Sequence, residues 1–443
     1  DRKGGHMGPA GTVVQPILHE AGETPSFFAA ARGHHADVGG LTPGSMPAFS
    51  RTIDDEGAIF RGLKIVSSGH FNEDAVRQTL IEGAYPARNA PENIGDLKAQ
   101  IAACQSGARD LEKAVSDFGK STVLAYMAHV RDNAEVSVRR VIDRLKDGEA
   151  TVRADAGWQV QVRVTIDQTA RRAKVDFTGS SPQQPTNVNA PAAIAKAAVL
   201  YVFRCLVDAD IPMNEGCLAP LEIVLPPGSV VNPDPPAAVV AGNVETSQMI
   251  ADALLGACGA LSGSQGTMNN LTFGTEGKQY YETICGGAGA GPGIKGASAV
   301  HTHMTNSRLT DPEILEQRYP VRLRRFAIRK GSGGTGAWRG GDGAIRELTF
   351  LQPATVSLLT GHRLVPPLGL AGGGPGTCGE NAVERADGTV EPAPAITQLD
   401  LNPGDTLILK TPGGAGFGTA QDLQADDTGT GSGKTQAEEG NDP

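Results

Sequence analysis

The sequence predicts an α+β fold, and three regional patterns support this prediction. Apolar residues recur at helical spacing through residues 97–115 and again through 124–145. Residues 160–164 and 173–177 alternate between apolar and polar side chains, which is typical of a hairpin. Glycine accounts for 26 of the 133 residues between 286 and 418 but for only 32 of the other 310. Because glycine favours turns and close backbone approach, this last region is predicted to consist of short strands and loops.

The helices can be placed along the chain from the same patterns. The first two are long and amphipathic, lie on either side of Gly119, and are expected to pack antiparallel. A third helix is predicted from Ala192 to Leu206 and a fourth from Met249 to Ala260, with Thr246 and Ser247 as candidate N-caps. Strands are predicted later in the chain, at residues 348–351, 354–359 and 406–409.

We expect one folded region, residues 1–418, followed by a disordered acidic tail, residues 419–443, which has almost no apolar residues. Its predicted sub-regions are 1–95 with strands that carry a metal site, 96–150 helical, 151–285 mixed, and 286–418 rich in strands and glycine loops. The chain does not begin with Met, so we expect its natural beginning to precede Asp1.

Charge and composition exclude several functions. The 443 residues carry 49 acidic and 39 basic side chains, a net charge of −10, with no run of Lys or Arg. Nucleic acid and anionic membrane surfaces are therefore excluded as partners. The longest apolar run, from Ala197 to Phe203, is far too short to span a membrane. The six cysteines form no closely spaced pair, which favours reduced thiols in the cytosol.

Two glycine motifs are similar to nucleotide-binding loops. Residues 431–435 read GSGKT, but Thr428 stands where a phosphate-binding loop has its first glycine, and no strand precedes it. Residues 331–336 satisfy GxGxxG, yet the AWRGG sequence after them cannot begin the helix that a dinucleotide site requires. We expect a turn cluster at residues 331–336 and no phosphate site at either motif.

The strongest chemical cluster is His34-His35-Ala36-Asp37, which follows a mostly apolar run. Two imidazoles and a carboxylate at the end of a predicted strand can supply two ligands to a divalent metal. The third group can then hydrogen-bond to one of these ligands and orient it. The alternative is a polar turn whose side chains bond only to the protein.

Further motifs follow this cluster in a fixed order along the chain. They are GLTPG at 40–44, DFTG at 176–179, NVNAP at 187–191, IPMNEG at 211–216, GNV at 242–244, GGAGAGP at 286–292, HTHMTNSR at 301–308, TDPEILE at 310–316 and TPGGAGFG at 411–418. With the double histidine, this series resembles the hydantoinase B/oxoprolinase family. Within that family it is most similar to the C-terminal, B-type half of eukaryotic-type ATP-dependent 5-oxoprolinases.

The resemblance implies that the chain is a cyclic-amide hydrolase that works with a hydantoinase A-type half or subunit. It also implies that this chain has no ATP site of its own. That partner binds ATP and phosphorylates the lactam, and the B-type component couples the intermediate to ring opening of 5-oxo-L-proline to L-glutamate, a step of glutathione metabolism. A homo-oligomer is expected. The alternatives are a family member that acts on hydantoins or ketones, such as an N-methylhydantoinase or an acetone carboxylase, and a catalytically impaired fragment that keeps the partner-binding surface.

The resemblance also implies a divalent metal, Mn, Zn or Fe. His34 or His35 matches the ligand that the family places on this strand, and Asp37 is a further candidate. The family's upstream ligand pair falls on Met7 and Ala10 when the pattern is laid without gaps, with His6 one position away.

Three further sets of residues are candidates for substrate chemistry. Arg32 or Arg308 would bind the substrate carboxylate, unless they are ordinary surface arginines. His301 and His303, two apart on a predicted strand, would share one face and supply an acid or base, unless they are core histidines. The glycine loop, with Gly287, Gly289 and Gly291, would offer N–H groups to an oxyanion or phosphate, unless it serves close packing.

Overall fold

The computed structural model describes residues 10–18, 24–275, 278–419 and 421–422. Its helices are α1 (Glu73–Ile81), α2 (Ala90–Phe118), α3 (Lys120–Ile142), α4 (Ala192–Cys205), α5 (Ser247–Ala257) and α6 (Pro312–Arg318). Its strands are β1 (Ala10–Ile17), β2 (Phe27–His34), β3 (Val66–Ser67), β4 (His70–Phe71), β5 (Gly148–Arg153), β6 (Gln159–Asp167), β7 (Arg172–Asp176), β8 (Leu221–Val224), β9 (Asn270–Thr275), β10 (Lys278–Glu282), β11 (Val321–Arg329), β12 (Gly343–Phe350), β13 (Ala354–Leu359), β14 (Glu380–Glu384), β15 (Val390–Pro392), β16 (Ile396–Leu401) and β17 (Thr406–Lys410). The mixture confirms the predicted α+β class.

The N-terminal part is a two-stranded ribbon packed on a helix. Strands β1 and β2 pair antiparallel, with Ala10 opposite His34. Side chains alternate across the ribbon, so Val13 and Phe27 are buried towards α2 while Val14 and Phe28 are exposed. This ribbon delivers the chain to the double histidine at the end of β2.

Helices α2 and α3 are joined by Gly119 alone, which adopts a φ of +81°. The N-terminal half of α2 packs against the β1–β2 ribbon, whereas the C-terminal half of α3 buries Val138 and Val141 in a different core. The two helices share a small cluster near their junction that includes Val115 and Val123. They therefore do not form the antiparallel pair predicted along their length, because each helix buries its apolar face against a separate sheet.

The main core lies between a four-stranded sheet and helices α3, α4 and α5. The sheet has the order β5-β6-β7-β8, antiparallel except for the parallel pair β7–β8. The predicted hairpin is confirmed as β6–β7, and the predicted third helix as α4. The start of α5 differs from the prediction, because a π-helical turn, Gly242–Thr246, runs directly into it. Thr246 and Ser247 donate their hydroxyls to the carbonyls of Val188 and Asn243 instead of capping the helix.

The C-terminal third contains two further sheets, as predicted, with strand orders β10-β9-β13-β16 and β11-β12-β17-β14-β15. They bury a shared core that includes Phe273, Val356 and Leu407. A buried ion pair joins the two sheets, because Arg346 of β12 donates to both carboxylate oxygens of Glu282 of β10, at 2.6 and 3.0 Å. Residues 331–336 form a turn that leads to β12, so the predicted turn cluster is confirmed and no helix follows it. The 431–435 motif lies outside the described residues.

The glycine segments of this third pack backbone against backbone. A Cβ atom at Gly414 would lie 1.9 Å from the carbonyl oxygen of Ala288, and one at Gly341 would lie 1.9 Å from that of Ala297. Separations this short leave no room for any side chain. The excess glycine detected in the sequence therefore serves close packing between segments 286–300, 331–343 and 411–418.

Gly414→Ala is expected to lower the free energy of unfolding by about 1–3 kcal/mol, because the atoms that its Cβ meets belong to the backbone and cannot rotate away. The matched control is Gly95→Ala in α2, where a Cβ meets nothing within 4 Å. That variant is expected to gain about 0.5–1 kcal/mol from helix propensity. Urea unfolding followed by circular dichroism measures both. Equal effects of the two variants would contradict the packing argument.

None of the helices in the described part of the chain has the length and apolar character that crossing a membrane requires.

Candidate functional site

The double histidine divides into one buried and one exposed side chain. His35, just beyond β2, is buried, and its Nδ1 lies 3.1 Å from Oδ2 of Asp96 on α2. Its Nε2 is also buried and has no hydrogen-bond partner among the described residues. A Cβ at Gly11 of β1 would lie 3.0 Å from that nitrogen, so glycine keeps the space beside it open. A carboxylate on one imidazole nitrogen and an open second nitrogen are typical of a metal-binding histidine.

Asp37, the carboxylate of the predicted metal cluster, is hydrogen-bonded within the loop that follows β2. One carboxylate oxygen accepts the backbone N–H groups of Gly39 and Arg88, at 2.9 and 3.1 Å. The other accepts the N–H of Gly44 at 3.0 Å and the guanidinium Nη1 of Arg88 at 2.9 Å. These four donors and Asn93, which donates to the carbonyl of Asp37, fix the loop that follows β2. The carboxylate therefore has no lone pair directed at a further ligand.

The other candidates near this end do not complete a metal site. His34 is exposed, and the pKa of its imidazole is lowered by partial desolvation and by the charges of Arg32 and His35. Arg32 is also exposed and donates to the hydroxyl of Thr12 at 3.0 Å. His6 lies outside the described residues. Over the described ranges no three His, Cys, Asp or Glu side chains are grouped to hold a metal, so His35 Nε2 is one donor where several are required.

A second polar cluster lies along one face of the π-turn and α5. Glu245, Gln248 and Asp252 are spaced i, i+3 and i+7 in an otherwise apolar segment, and all three are buried. This spacing puts them on the same side of the helix, facing the loops at 262–270 and 301–305. Sequence reasoning missed these residues. Buried polar residues at helical spacing in an apolar helix were the signal that could have identified them.

Asp252 holds His303 in place. Its Oδ1 accepts from His303 Nε2 at 2.9 Å and from the backbone N–H of Ser264 at 2.9 Å. Tyr201 of α4 lies on the other side of the imidazole, with its hydroxyl 3.4 Å from Nδ1. Burial raises the pKa of Tyr201, and Cys205 and Asp252 add to this rise, so the phenol stays protonated. The imidazole of His303 therefore lies between the carboxylate of Asp252 and the hydroxyl of Tyr201.

His301 and His303 do not lie on a strand, which corrects the predicted geometry. They belong to a turn in which His303 adopts a φ of +49° and Thr305 donates its N–H to the carbonyl of Thr302. His301 is half-buried, desolvation lowers its pKa, and its Nδ1 has no hydrogen-bond partner in the described part of the chain. The two imidazoles therefore occupy different surroundings instead of one shared face.

Glu245 is the most perturbed acid of the cluster. Its Oε1 accepts from Thr267 Oγ1 at 2.8 Å, the N–H of Met268 at 3.1 Å and Asn270 Nδ2 at 2.7 Å. Burial nevertheless raises the pKa of Glu245 to about 8. Arg363 lies nearby with carbonyl oxygens as its partners, and burial lowers its pKa to about 10. A carboxyl group that keeps its proton near neutral pH is typical of functional sites, and a π-helical turn often accompanies them.

Glu245→Gln is expected to make the protein less sensitive to alkaline pH. Between the unfolded pKa of about 4.5 and the folded value of about 8, the folded state holds a proton that the unfolded state has lost. Stability contributed by the neutral acid is therefore complete below pH 4.5 and is lost progressively up to pH 8. Gln is neutral at every pH and keeps an oxygen acceptor. The urea midpoint of the variant, measured relative to that of the parent, should increase from pH 5.5 to 7 and 8.5. A difference between the two midpoints that does not change with pH would contradict this prediction.

The loop after β2 packs against β9. Gly44 of this loop donates to Asp37, and a Cβ at Gly44 would lie 2.6 Å from the side chain of Thr272 in β9. Thr272 is two residues from Asn270, which donates to Glu245. The loop that Asp37 holds therefore lies beside the strand that carries one of the partners of Glu245.

The remaining candidates are Arg308 and the glycine loop. Arg308 is exposed. The N–H groups of Gly287, Gly289 and Gly291 donate to Pro412 O, Ser264 Oγ and Ile294 O. In this structure the glycine loop is held by internal hydrogen bonds and close packing, which agrees with the alternative that these glycines serve packing.

Comparison with known sequences decides the family. Residues 2–420 match the family model described as hydantoinase B/oxoprolinase. The chain belongs to the hydantoinase B/oxoprolinase family. It is 45% identical over 432 residues to 5-oxoprolinase of Dictyostelium discoideum, covering 96% of this chain and 34% of that protein. It is 43% identical over 443 residues to 5-oxoprolinase 1 of Arabidopsis thaliana, covering 94% and 34%. This hydantoinase B/oxoprolinase chain thus spans about a third of the length of these relatives.

A solved structure confirms the fold of this hydantoinase B/oxoprolinase chain. The ATP-dependent caprolactamase from Pseudomonas jessenii matches with a TM-score of 0.81 at 24% identity, over 96% of this chain and 79% of that one. The mixed arrangement of open sheets and helices is therefore shared with that protein.

Proposed function

We propose that this chain is the B-type component of an ATP-dependent 5-oxoprolinase, which opens 5-oxo-L-proline to L-glutamate together with an A-type half that binds ATP. The observation that carries the proposal is the 45% identity to a 5-oxoprolinase over nearly the whole of this chain. The chain covers about a third of that relative, which leaves room in the longer protein for a separate ATP-binding half.

The proposed chemistry requires an acid/base group. Once the partner half has phosphorylated the lactam oxygen, water attacks the lactam carbon and loses a proton. The C–N bond then breaks and the ring nitrogen gains a proton, which leaves an acyl phosphate. A second water hydrolyses this acyl phosphate to the carboxylate and inorganic phosphate. A positioned imidazole that accepts one proton and returns another can serve both steps.

His303 is the imidazole we propose for this role. Asp252 accepts a hydrogen bond from Nε2 and so fixes it as the protonated nitrogen. Nδ1 is then the acceptor. Its 3.4 Å separation from the Tyr201 hydroxyl is long for a hydrogen bond, so a substrate water can compete for this nitrogen. Asp252 acts as the positioning residue.

The other site assignments remain parts of the proposal. Arg308, or Arg32 at the His35 end, would bind the substrate carboxylate, and His301 would lie near the reacting groups. If a divalent metal, Mn, Zn or Fe, is bound, His35 Nε2 is the described nitrogen that would contact it. The described residues do not make a metal site by themselves, so no step is assigned to a metal. We further propose a cytosolic homo-oligomer that acts in glutathione metabolism.

The test is reconstitution with an A-type half from a related 5-oxoprolinase. The expected results are 5-oxoproline-dependent ATP hydrolysis and formation of glutamate, neither of which occurs with either part alone. Turnover of a hydantoin or a ketone instead of 5-oxoproline would reassign the substrate within the family. Complex formation without any turnover would show a chain that keeps only the partner-binding surface.

A further inference from the structure

A cavity of about 70 Å³ lies between β5, α5 and the loop at residues 361–370. Much of its wall is apolar and includes Val152, Pro367 and Leu368. Two buried polar residues, Asp252 and His362, also line it. A space of this size admits several non-hydrogen atoms, and its polar lining makes a purely apolar occupant unfavourable.

Asp252 uses only one of its oxygens within the protein. Oδ1 accepts from His303 and from the N–H of Ser264, whereas Oδ2 accepts no hydrogen bond from any residue in the described ranges. This oxygen can therefore accept from a molecule in the cavity, which Asp252 lines.

His362 presents a second acceptor close by. Its Nδ1 lies 2.7 Å from the carbonyl oxygen of Val365 and must donate to it, so the neutral ring carries its lone pair on Nε2. A Cβ at Gly266 would lie 2.2 Å from His362 Nε2 and 3.3 Å from Asp252 Oδ2. The two acceptors therefore both lie close to Gly266, and the absence of a side chain there leaves room beside them.

The backbone is strained around these acceptors. His362 and His303 adopt φ angles of +54° and +49°, and Asn269 in the adjoining loop adopts +48°. Non-glycine residues in this region cost about 1–3 kcal/mol each and concentrate at ligand sites. Two of these residues, His303 and His362, lie beside the Asp252 carboxylate, which indicates that the surrounding structure maintains the positions of these acceptors.

We propose that this cavity binds a small amino acid through its primary ammonium group. The ammonium donates to Asp252 Oδ2 and to His362 Nε2, because a primary ammonium supplies several N–H groups together with a positive charge that the carboxylate attracts. The aliphatic carbons of the ligand contact Val152 and Leu368. Arg153, an exposed residue of β5 that also lines the cavity, pairs with the carboxylate of the ligand.

The identity of the amino acid that binds in the cavity is inferred from the proposed function. Ring opening of a cyclic amide converts the ring N–H, a single donor, into a primary ammonium with three donors. The cavity therefore matches the ring-opened product better than the cyclic substrate. Free ammonium ion has four N–H donors but lacks the carboxylate and the carbons.

Isothermal titration calorimetry of the full chain with three probes at pH 7 tests the proposal. L-Glutamate is expected to bind at least tenfold more tightly than 5-oxoproline, which has no ammonium group. Ethylammonium, which has no carboxylate, should bind more weakly than glutamate. Arg153→Gln should weaken glutamate binding and leave ethylammonium binding unchanged. If ammonium chloride alone competes as well as glutamate, the site takes the free ion and the amino-acid assignment is overturned.

Variants locate the binding. His362→Asn, which tolerates a positive φ but places no acceptor at the position of Nε2, should weaken glutamate binding at least tenfold. The matched control His70→Asn lies at an exposed position of β4 and should change nothing. If His362→Asn fails to fold, Leu368→Trp obstructs the cavity from an exposed position and should have the same effect. Absence of glutamate binding to the parent, or binding that neither variant weakens, overturns the proposal.

The reconstituted activity separates this inference from the proposed function. Turnover of 5-oxoproline without any binding of glutamate at the cavity would leave the proposed function intact and refute the ammonium site. Conversely, suppose that the chain binds glutamate in a way that depends on His362 and yet never supports turnover with an A-type half. That result would support the ammonium site and refute the proposed function.

Discussion

His303→Asn is expected to lower kcat for 5-oxoproline-dependent ATP hydrolysis in the reconstituted enzyme by about 10²–10⁴-fold, the usual contribution of a general acid/base. Asn is chosen because it accepts the φ of +49° that His303 adopts, so the turn is preserved while the imidazole is removed. Coupled measurement of ADP and glutamate gives kcat and KM separately. KM should change little, because His303 is assigned to proton transfer and not to substrate binding.

Asp252→Asn provides the readout that a merely structural role would not affect. The amide still offers an oxygen to the N–H of Ser264, but its NH2 group can also donate to the imidazole, so Nε2 of His303 is no longer fixed as the protonated nitrogen. We therefore expect kcat to fall while KM changes little. His70→Asn is again the control. An unchanged kcat for His303→Asn would remove this histidine from the mechanism.

Arg346→Met is expected to destabilise the protein by about 3–5 kcal/mol. Arg346 and Glu282 are each 4% exposed or less, and the guanidinium donates to both carboxylate oxygens. Removing the arginine leaves a buried carboxylate with only the Tyr280 hydroxyl as a side-chain donor among the described residues. An uncompensated buried charge costs far more than the pair itself contributes. Urea unfolding at constant pH measures the loss.

Two further variants show whether that loss comes from the unpaired charge. Arg346→Met combined with Glu282→Leu should recover most of the stability, because well-packed apolar residues can replace a buried pair at little cost. The surface pair Arg163–Glu149, 3.0 Å apart and more than 60% exposed on both sides, is the matched control. Arg163→Met should cost less than about 1 kcal/mol. A double variant no more stable than Arg346→Met would show that the packing of the sheets, and not charge, was lost.

The fold could be predicted from the sequence where the signal was local. The hairpin β6–β7 and helix α4 follow from period-two and helical patterns within single short segments. The relation of α2 to α3 could not be predicted in this way, because an apolar face shows that a helix is buried but not against which partner. Leu124 and Met127 belong to the predicted apolar face of α3, yet both are more than 40% exposed.

The candidate site shows the same limit. The double histidine was found because its residues are adjacent in sequence, and the family motifs brought attention to His303. Asp252, Tyr201 and His362 come from three distant segments, and no spacing in the chain relates them. Asp37 was predicted as a metal candidate from its place beside the double histidine. Its hydrogen-bond partners, Gly39, Gly44 and Arg88, could not be predicted from the sequence, because the fold of the loop brings them to the carboxylate.

The sequence by itself determined the α+β class, the family motifs, and the concentration of glycine in the last third, because composition and periodicity are properties of the chain. Only the tertiary structure decided that Gly414 and Gly341 serve backbone contact, that His35 has an open nitrogen, and that Asp252 joins His303 to a cavity. The physical reason is that hydrogen bonds and burial depend on distances in space. Those distances are set by how the sheets and helices pack, and a residue's neighbours along the chain do not fix them.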